Sequence, residues 1–216
     1  MTISLNLAAY IDHTNLRPEA MSHHIEKLCD EAIHYAFHSV CINPCWVSFA
    51  AKSLENSPVK VCTVIGFPLG NSLTSSKVVE AQQTFDCGAD EFDMVMNIGA
   101  AKESKWSFVG DEVQQVVEIV QGKCVKVIIE TCLLTQKEII KACQICEEAG
   151  AHFVKTSTGF NKKGATIENI AIMRNVLSPS MGLKAAGGIK DKKSAVTMIE
   201  AGATRIGASA SIAIAS

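Results

Sequence analysis

The sequence has no excess of charge of either sign: 20 basic against 22 acidic residues leave a net −2 over 216 residues. A chain so balanced offers no electrostatic footprint for nucleic acid or for an anionic membrane. It also lacks any apolar run near the ~18 residues that a membrane span requires. The opening Met1-Thr2-Ile3-Ser4-Leu5-Asn6 has no basic stretch, and Asp12 breaks the apolar residues that follow, so no secretory leader is expected. No Pro- or Ser-rich linker divides the chain, and neither a Walker A segment nor a G-x-G-x-x-G occurs, so a nucleotide is not implied. Disorder and coiled coil are excluded from the other side, because 48% of residues are hydrophobic and only 19% charged. A soluble globular protein of the cytoplasm is expected.

Cysteine is what the chain has in plenty. Nine occur, at Cys29, Cys41, Cys45, Cys62, Cys87, Cys124, Cys132, Cys143 and Cys146. The count is odd, the spacing forms no disulfide framework, and most lie inside apolar runs, which fits small buried hydrophobes in a reducing compartment. Cys143-Gln144-Ile145-Cys146 has the spacing of half a zinc site, but no second C-x-x-C or paired histidine follows it. Within a helical pattern, three-residue spacing marks a packed face.

The organisation repeats. Strand-like runs recur at Tyr10–Thr14, His38–Asn43, Val59–Gly66, Glu91–Asn97, Val125–Thr131, Phe153–Thr158, Gly182–Gly188 and Ala203–Ser209. Eight runs give roughly 27 residues per unit, the size of one strand and one helix. Between them lie helical stripes, clearest at Met21, Ile25, Leu28, Cys29, Ala32, Ile33 and Ala36. Thr135-x-x-Glu138 reads as a capping box and Asp191 as an N-cap. Three strands follow the phrases Cys87-Gly88-Ala89, Ala149-Gly150-Ala151 and Ala201-Gly202-Ala203, each a glycine stopping a helix just before a buried strand. These joints predict a single-domain (β/α)8 TIM barrel over residues 1–216. An open doubly wound sheet would need a Gly-rich turn after its first strand, and Ile11-Asp12-His13-Thr14-Asn15 has no glycine.

In such a barrel the chemistry projects from the C-terminal ends of the strands. Four runs carry charges that a buried parallel strand should not tolerate: Asp12, Asp93, Lys155 and Lys184. The fifth adds Lys126 and Glu130, four apart and so on one face. One such lysine alone would snorkel to the rim. Two lysines and an aspartate at similar depth on strands four, six and seven suggest coupling. A second ammonium about 5 Å away, at an effective dielectric of ~20, costs the charged form about 3 kcal/mol. Lys184 is thus expected to favour neutral Lys155, the amine needed for a Schiff base with a carbonyl substrate, with Asp93 moving protons.

Gly187-Gly188, Gly207-Ala208-Ser209 and Thr158-Gly159 follow three consecutive strands, where barrels commonly hold a phosphate on backbone N–H groups. Cys41 and His13 are expected as a wall residue and a satisfied supporting group, and His23, His24 and His34 as surface residues of the first helix. Gly66-Phe67-Pro68-Leu69-Gly70 reads as a shaped loop.

The segments Ile11-Asp12-His13-Thr14, Val64 to Gly70, Asp90 to Val95, Val125 to Thr131, Phe153 to Phe160 and Leu183 to Ile189 together resemble the deoxyribose-phosphate aldolase family, over nearly the whole chain. The resemblance implies a class I aldolase, free of metal and cofactor. It would reversibly cleave 2-deoxyribose 5-phosphate into acetaldehyde and glyceraldehyde 3-phosphate, and would work as a homodimer. It implies Lys155 as the Schiff-base lysine, Lys184 as its activator and Asp93 as proton donor and acceptor. Asp12, Thr158 and Lys126 would hold substrate hydroxyls or a relay water, and Gly159, Gly187, Gly188, Gly207 and Ser209 the phosphate. Two departures from the family pattern follow Ser209. The next residues are Ala210-Ser211-Ile212, which leaves side-chain donation to phosphate mainly to Ser209, and the sequence runs to Ser216 without the longer tail of some members. Two other readings use the same residues: a different Schiff-base aldolase acting on another carbonyl, and a phosphosugar-binding barrel without turnover.

Overall fold

Each of the eight runs becomes a strand. The computed structural model describes residues 6–216; the reading of Met1–Leu5 lies outside them. The strands are β1 (Ile11–Asn15), β2 (Ser39–Ile42), β3 (Lys60–Ile65), β4 (Glu91–Val95), β5 (Cys124–Ile128), β6 (Phe153–Lys155), β7 (Gly182–Ala186) and β8 (Arg205–Ala208). Each pairs in parallel with the next, and β8 closes on β1 through Asp12 opposite Gly207. This is the (β/α)8 barrel the repeat predicts. Several strands stop short of their runs: β6 ends at Lys155, so Thr158 lies in the loop above it, and β5 ends at Ile128, so Glu130 lies beyond the strand.

The helices of the described residues alternate with the strands: α1 (Ser22–Tyr35), α2 (Val47–Ser53), α3 (Thr74–Asp86), α4 (Ile98–Lys102), α5 (Trp106–Ile119), α6 (Gln136–Glu148), α7 (Ile167–Val176), α8 (Lys192–Glu200) and α9 (Ser211–Ala215). Helix α1 buries Ile25, Leu28, Cys29 and Ala32, but Met21 and Ile33 are exposed and Ala36, left-handed at φ 53°, ends the helix. The apolar stripe is therefore narrower than the sequence suggests. The Thr135–Glu138 capping box opens α6 and the Asp191 carboxylate accepts from the Ser194 N–H at the start of α8, as expected. Gly88, Gly150 and Gly202 all have positive φ at the αβ joints, a conformation that costs a Cβ-free residue little.

Alternation along the strands separates two cores. Outward residues such as Ile11, Val40, Phe92, Val127, Val154, Leu183 and Ile206 pack against the helices in one apolar cluster. Cys143 and Cys146 belong to it, on the inner face of α6, where burial pushes the Cys143 thiol up to about 12. The barrel interior carries charge. Asp12, Glu91, Asp93, Lys126, Lys184 and Arg205 are all buried there, where barrels ordinarily stack Val, Ile and Leu. A buried charge is tolerated only when paired. Between α3 and α5 a separate buried pair, Lys77 and Glu112 at 2.8 Å, also holds the Val95 carbonyl and the Asn97 N–H, fixing the end of β4. No helix of the described residues is long and apolar enough to cross a membrane.

Candidate active site

Lys155 and Lys184 are register partners on β6 and β7. Both ammonium groups donate to the same oxygen of Asp93, Oδ2, at 2.8 and 2.7 Å, while Lys126 donates to Oδ1 at 2.8 Å. Lys184 also reaches Asp12, whose other oxygen takes Arg205 at 2.9 Å and the Ser39 hydroxyl at 2.7 Å. Glu91 bridges Arg205 at 3.0 Å and Lys126 at 2.7 Å, and on its outer side accepts from His38 at 3.0 Å. Four cations (Lys126, Lys155, Lys184 and Arg205) thus face three carboxylates (Asp12, Glu91 and Asp93). Loss of one proton leaves the cluster balanced.

The electrostatics follow from these contacts. Burial opposes the charge on Asp93, but Lys126, Lys155 and Lys184 outweigh it and hold the carboxyl well below its usual range. Against the same burial, Lys184, Lys126 and Arg205 hold Asp12 down, and Lys126 with the His38 hydrogen bond brings Glu91 to about 2. Asp12 and Asp93 raise Lys184 above the usual lysine value, and Asp93 does the same for Lys126. The aspartate expected beside the lysine pair lies directly between the two nitrogens. A carboxylate oxygen stands on both nitrogens, and its attraction offsets their repulsion.

Above the cluster lies a cavity of about 240 Å³. Lys155, Thr158, Gly159, Gly187, Gly188, Gly207 and Ser209 all line it, so the structure brings the predicted lysine and the predicted phosphate residues to one wall. Lys126, Lys184, Asp12 and Asp93 do not line it. Asp12 and Lys126 are fully buried below it, held by the ion pairs above. Gly187, at φ 86°, packs so closely on the loop after β6 that a Cβ at Gly164 would lie 2.0 Å from its carbonyl oxygen. The Thr158 hydroxyl donates to Glu130 at 2.5 Å.

A family model described as DeoC/LacD family aldolase matches residues 6–214. The chain is 55% identical over 208 residues to the deoxyribose-phosphate aldolase of Mannheimia succiniciproducens, covering 96% of this chain and 93% of that one. It is 52% identical to the deoxyribose-phosphate aldolase of Thermococcus gammatolerans, covering 98% and 96%. It matches the solved, tetrameric deoxyribose-phosphate aldolase of Aeropyrum pernix at a TM-score of 0.90 and 35% identity, covering 97% and 89%. The chain belongs to the DeoC/LacD family of aldolases. It is an enzyme, a carbon–carbon lyase.

Several parts of this aldolase's site escaped the sequence reading. Glu91 and Arg205 carry the same signal as Asp93, a charge in an apolar strand, but sit first in β4 and β8, where a charge reads as a rim residue. Asn15 at the end of β1, with Arg17, Phe160 and Lys190 from loops, also lines the cavity. His13 is the supporting group expected: Nε2 meets Glu31 at 2.8 Å and Nδ1 meets the Ser211 hydroxyl at 2.9 Å. Burial lowers its pKa against the pull of Glu31. Cys41, expected as a wall residue, is fully buried, packed with Leu16, Cys62, Val64 and Phe67, and does not line the cavity. Cys41 and Cys62 lie close enough to Asp93 to share a cation with it, but that carboxylate already holds three ammonium groups. His23, His24 and His34 are exposed as expected. The loop that starts at Gly66 reaches the mouth, where Phe67 meets Phe160 edge-on at 5.2 Å.

Proposed function

We propose that this aldolase reversibly cleaves 2-deoxy-D-ribose 5-phosphate into acetaldehyde and D-glyceraldehyde 3-phosphate through a Schiff base on Lys155, a step of deoxyribonucleoside breakdown. One observation carries the reading: of the three lysines on Asp93, only Lys155 lines the cavity, and that cavity also presents the glycine loops suited to a phosphate. The names of the relatives supply the sugar.

Neutral Lys155 attacks the aldehyde carbon C1, and the carbinolamine loses water to give an iminium. The C3 hydroxyl then gives up its proton, the C2–C3 electron pair moves into an enamine, and glyceraldehyde 3-phosphate leaves. Protonation at C2 and hydrolysis return acetaldehyde and the free lysine. Asp93 touches the nitrogens of both Lys155 and Lys184, so the proton that moves as Lys155 changes charge moves across it. Lys184 keeps the cluster balanced when Lys155 is neutral. Asp12 and Lys126 act as positioning residues that hold Lys184 and Asp93. Thr158 meets a substrate hydroxyl, while Gly159, Gly187, Gly188, Gly207 and Ser209 hold the phosphate. The chemistry calls for no cofactor or metal.

The proposal places the enzyme in the cytoplasm, which nine unpaired cysteines support. It takes the assembly to be a homodimer; the Aeropyrum relative is a tetramer. The residue range 1–216 forms one domain in this reading. An assay coupled to alcohol dehydrogenase tests the reaction: 2-deoxyribose 5-phosphate should release acetaldehyde. Cleavage of a 2-keto-3-deoxy phosphosugar in its place would assign the lysine to another carbonyl.

A further inference from the structure

Resting on the reaction proposed above, we infer that Glu130 and Thr158 form the relay that takes the proton from the C3 hydroxyl as the C2–C3 bond breaks. Glu130 is a buried carboxylate just beyond the end of β5, in the left-handed conformation at φ 53° and ψ 65°. A non-glycine residue in that conformation is strained, and such strain clusters at functional sites. The strain turns the carboxylate onto Thr158: Oε2 accepts from its hydroxyl at 2.5 Å, and both oxygens face its backbone N–H at 3.4 Å. The other contact is the Cys132 thiol at 3.9 Å.

What Glu130 lacks sets it apart. Asp12, Glu91 and Asp93 each carry two or more cationic partners, whereas no lysine, arginine or histidine pairs with Glu130 among the described residues. Glu130 is held by hydrogen-bond donors alone, with no ion pair to break when it takes a proton. Thr158 connects Glu130 to the reacting centre. It lines the cavity three residues after Lys155, its hydroxyl proton is committed to Glu130, and one lone pair takes the Phe160 N–H at 3.1 Å. The remaining lone pair accepts a hydroxyl proton from a substrate joined at C1 to Lys155 and held at its phosphate beyond Gly159.

The step balances. The C3 O–H proton passes to Thr158 Oγ as the Thr158 proton passes to Glu130, which becomes a neutral acid. The electrons of that O–H bond form the C3 carbonyl, the C2–C3 pair becomes the enamine double bond, and the iminium nitrogen takes up its π pair. Glu130 is a positioning residue acting through Thr158, and it serves only the half of the reaction that breaks the carbon–carbon bond.

That division supplies the test. Glu130→Gln, Thr158→Val and the unaltered enzyme are compared in three assays: borohydride trapping of acetaldehyde on Lys155, deuterium exchange into the acetaldehyde methyl group, and cleavage of 2-deoxyribose 5-phosphate. Trapping and exchange should stay within about threefold in both variants, which also shows that they fold. Cleavage kcat should fall by about 10²-fold or more in both, with little change in KM for Glu130→Gln, and Thr158→Ser should restore most of the activity lost in Thr158→Val. A Glu130→Gln enzyme that cleaves within about threefold of the unaltered rate would overturn the relay. Exchange that falls as far as cleavage would overturn it too, since Glu130 would then be supporting Lys155 itself. An unaltered enzyme that neither traps nor cleaves would overturn both proposals, through Lys155 and not through Glu130.

Discussion

Lys155 and Lys184 face each other across β6 and β7, and a single oxygen of Asp93 takes both ammonium groups at 2.8 and 2.7 Å. The two nitrogens differ in what lies on their other side. Lys184 is closed in by Asp12, with the cavity out of reach, whereas Lys155 opens onto it. Identical side chains in equivalent strand positions are thus divided into a fixed charge and an accessible amine.

Lys184→Met removes the fixed charge and keeps the volume. Asp93 and Asp12 each lose a buried partner, a change that costs about 3–5 kcal/mol when a charge is left uncompensated. The expected result is a lower denaturant midpoint together with loss of imine trapping on Lys155. An enzyme that traps acetaldehyde at the normal rate without Lys184 would remove the role given to it.

The proposed phosphate wall depends on close backbone packing between two loops. A Cβ at Gly164 would lie 2.0 Å from the Gly187 carbonyl oxygen, so Gly164→Ala must push the loops apart. Losing one hydrogen bond to a charged group costs about 1.5–3 kcal/mol, or at least about tenfold in affinity. KM for the 5-phosphate should rise by about that factor, with cleavage of unphosphorylated 2-deoxyribose little changed. An equal loss on both sugars would place the phosphate elsewhere.

Acid should unfold the barrel from within. The folded Glu91 carboxyl is at about 2 against an ordinary 4.5, because Lys126, the His38 hydrogen bond and Arg205 outweigh burial. A carboxyl lowered on folding stabilises the protein fully above its unfolded value, and that contribution disappears as pH falls through the folded one. Asp12 and Asp93 are shifted in the same direction. Stability should therefore fall as pH drops from about 4.5 toward about 2. Glu91→Gln should be less stable than the unaltered enzyme near neutrality, and that difference should narrow across this window. A difference that stays constant with pH would contradict the assignment.

The barrel was legible because its signals are local. A glycine such as Gly150 that stops a helix and an apolar run such as Val125–Ile128 each follow from nearest neighbours in sequence. Lys155, Lys184 and Asp93 were legible because a charge in such a run has few structural excuses. Depth was not legible. Register aligns Lys155 with Lys184 but Asp93 with Lys126, and the stagger that carries Asp12 and Lys126 below the cavity arises only when eight strands close. Arg205 was lost for the same reason, since a first strand residue looks exposed until β8 closes on β1. The left-handed turn at Glu130 has no glycine to announce it.

In the proposed reaction Lys155 forms the covalent intermediate. Acetaldehyde and borohydride are added to the enzyme, and the adduct is mapped by mass spectrometry of its peptides. One reduced ethyl group, about 28 Da, should be found on Lys155 alone, and Lys155→Ala should take up none there and lose cleavage. An adduct on Lys126 or Lys184, or one scattered over surface lysines with Lys155 unmodified, would contradict the account.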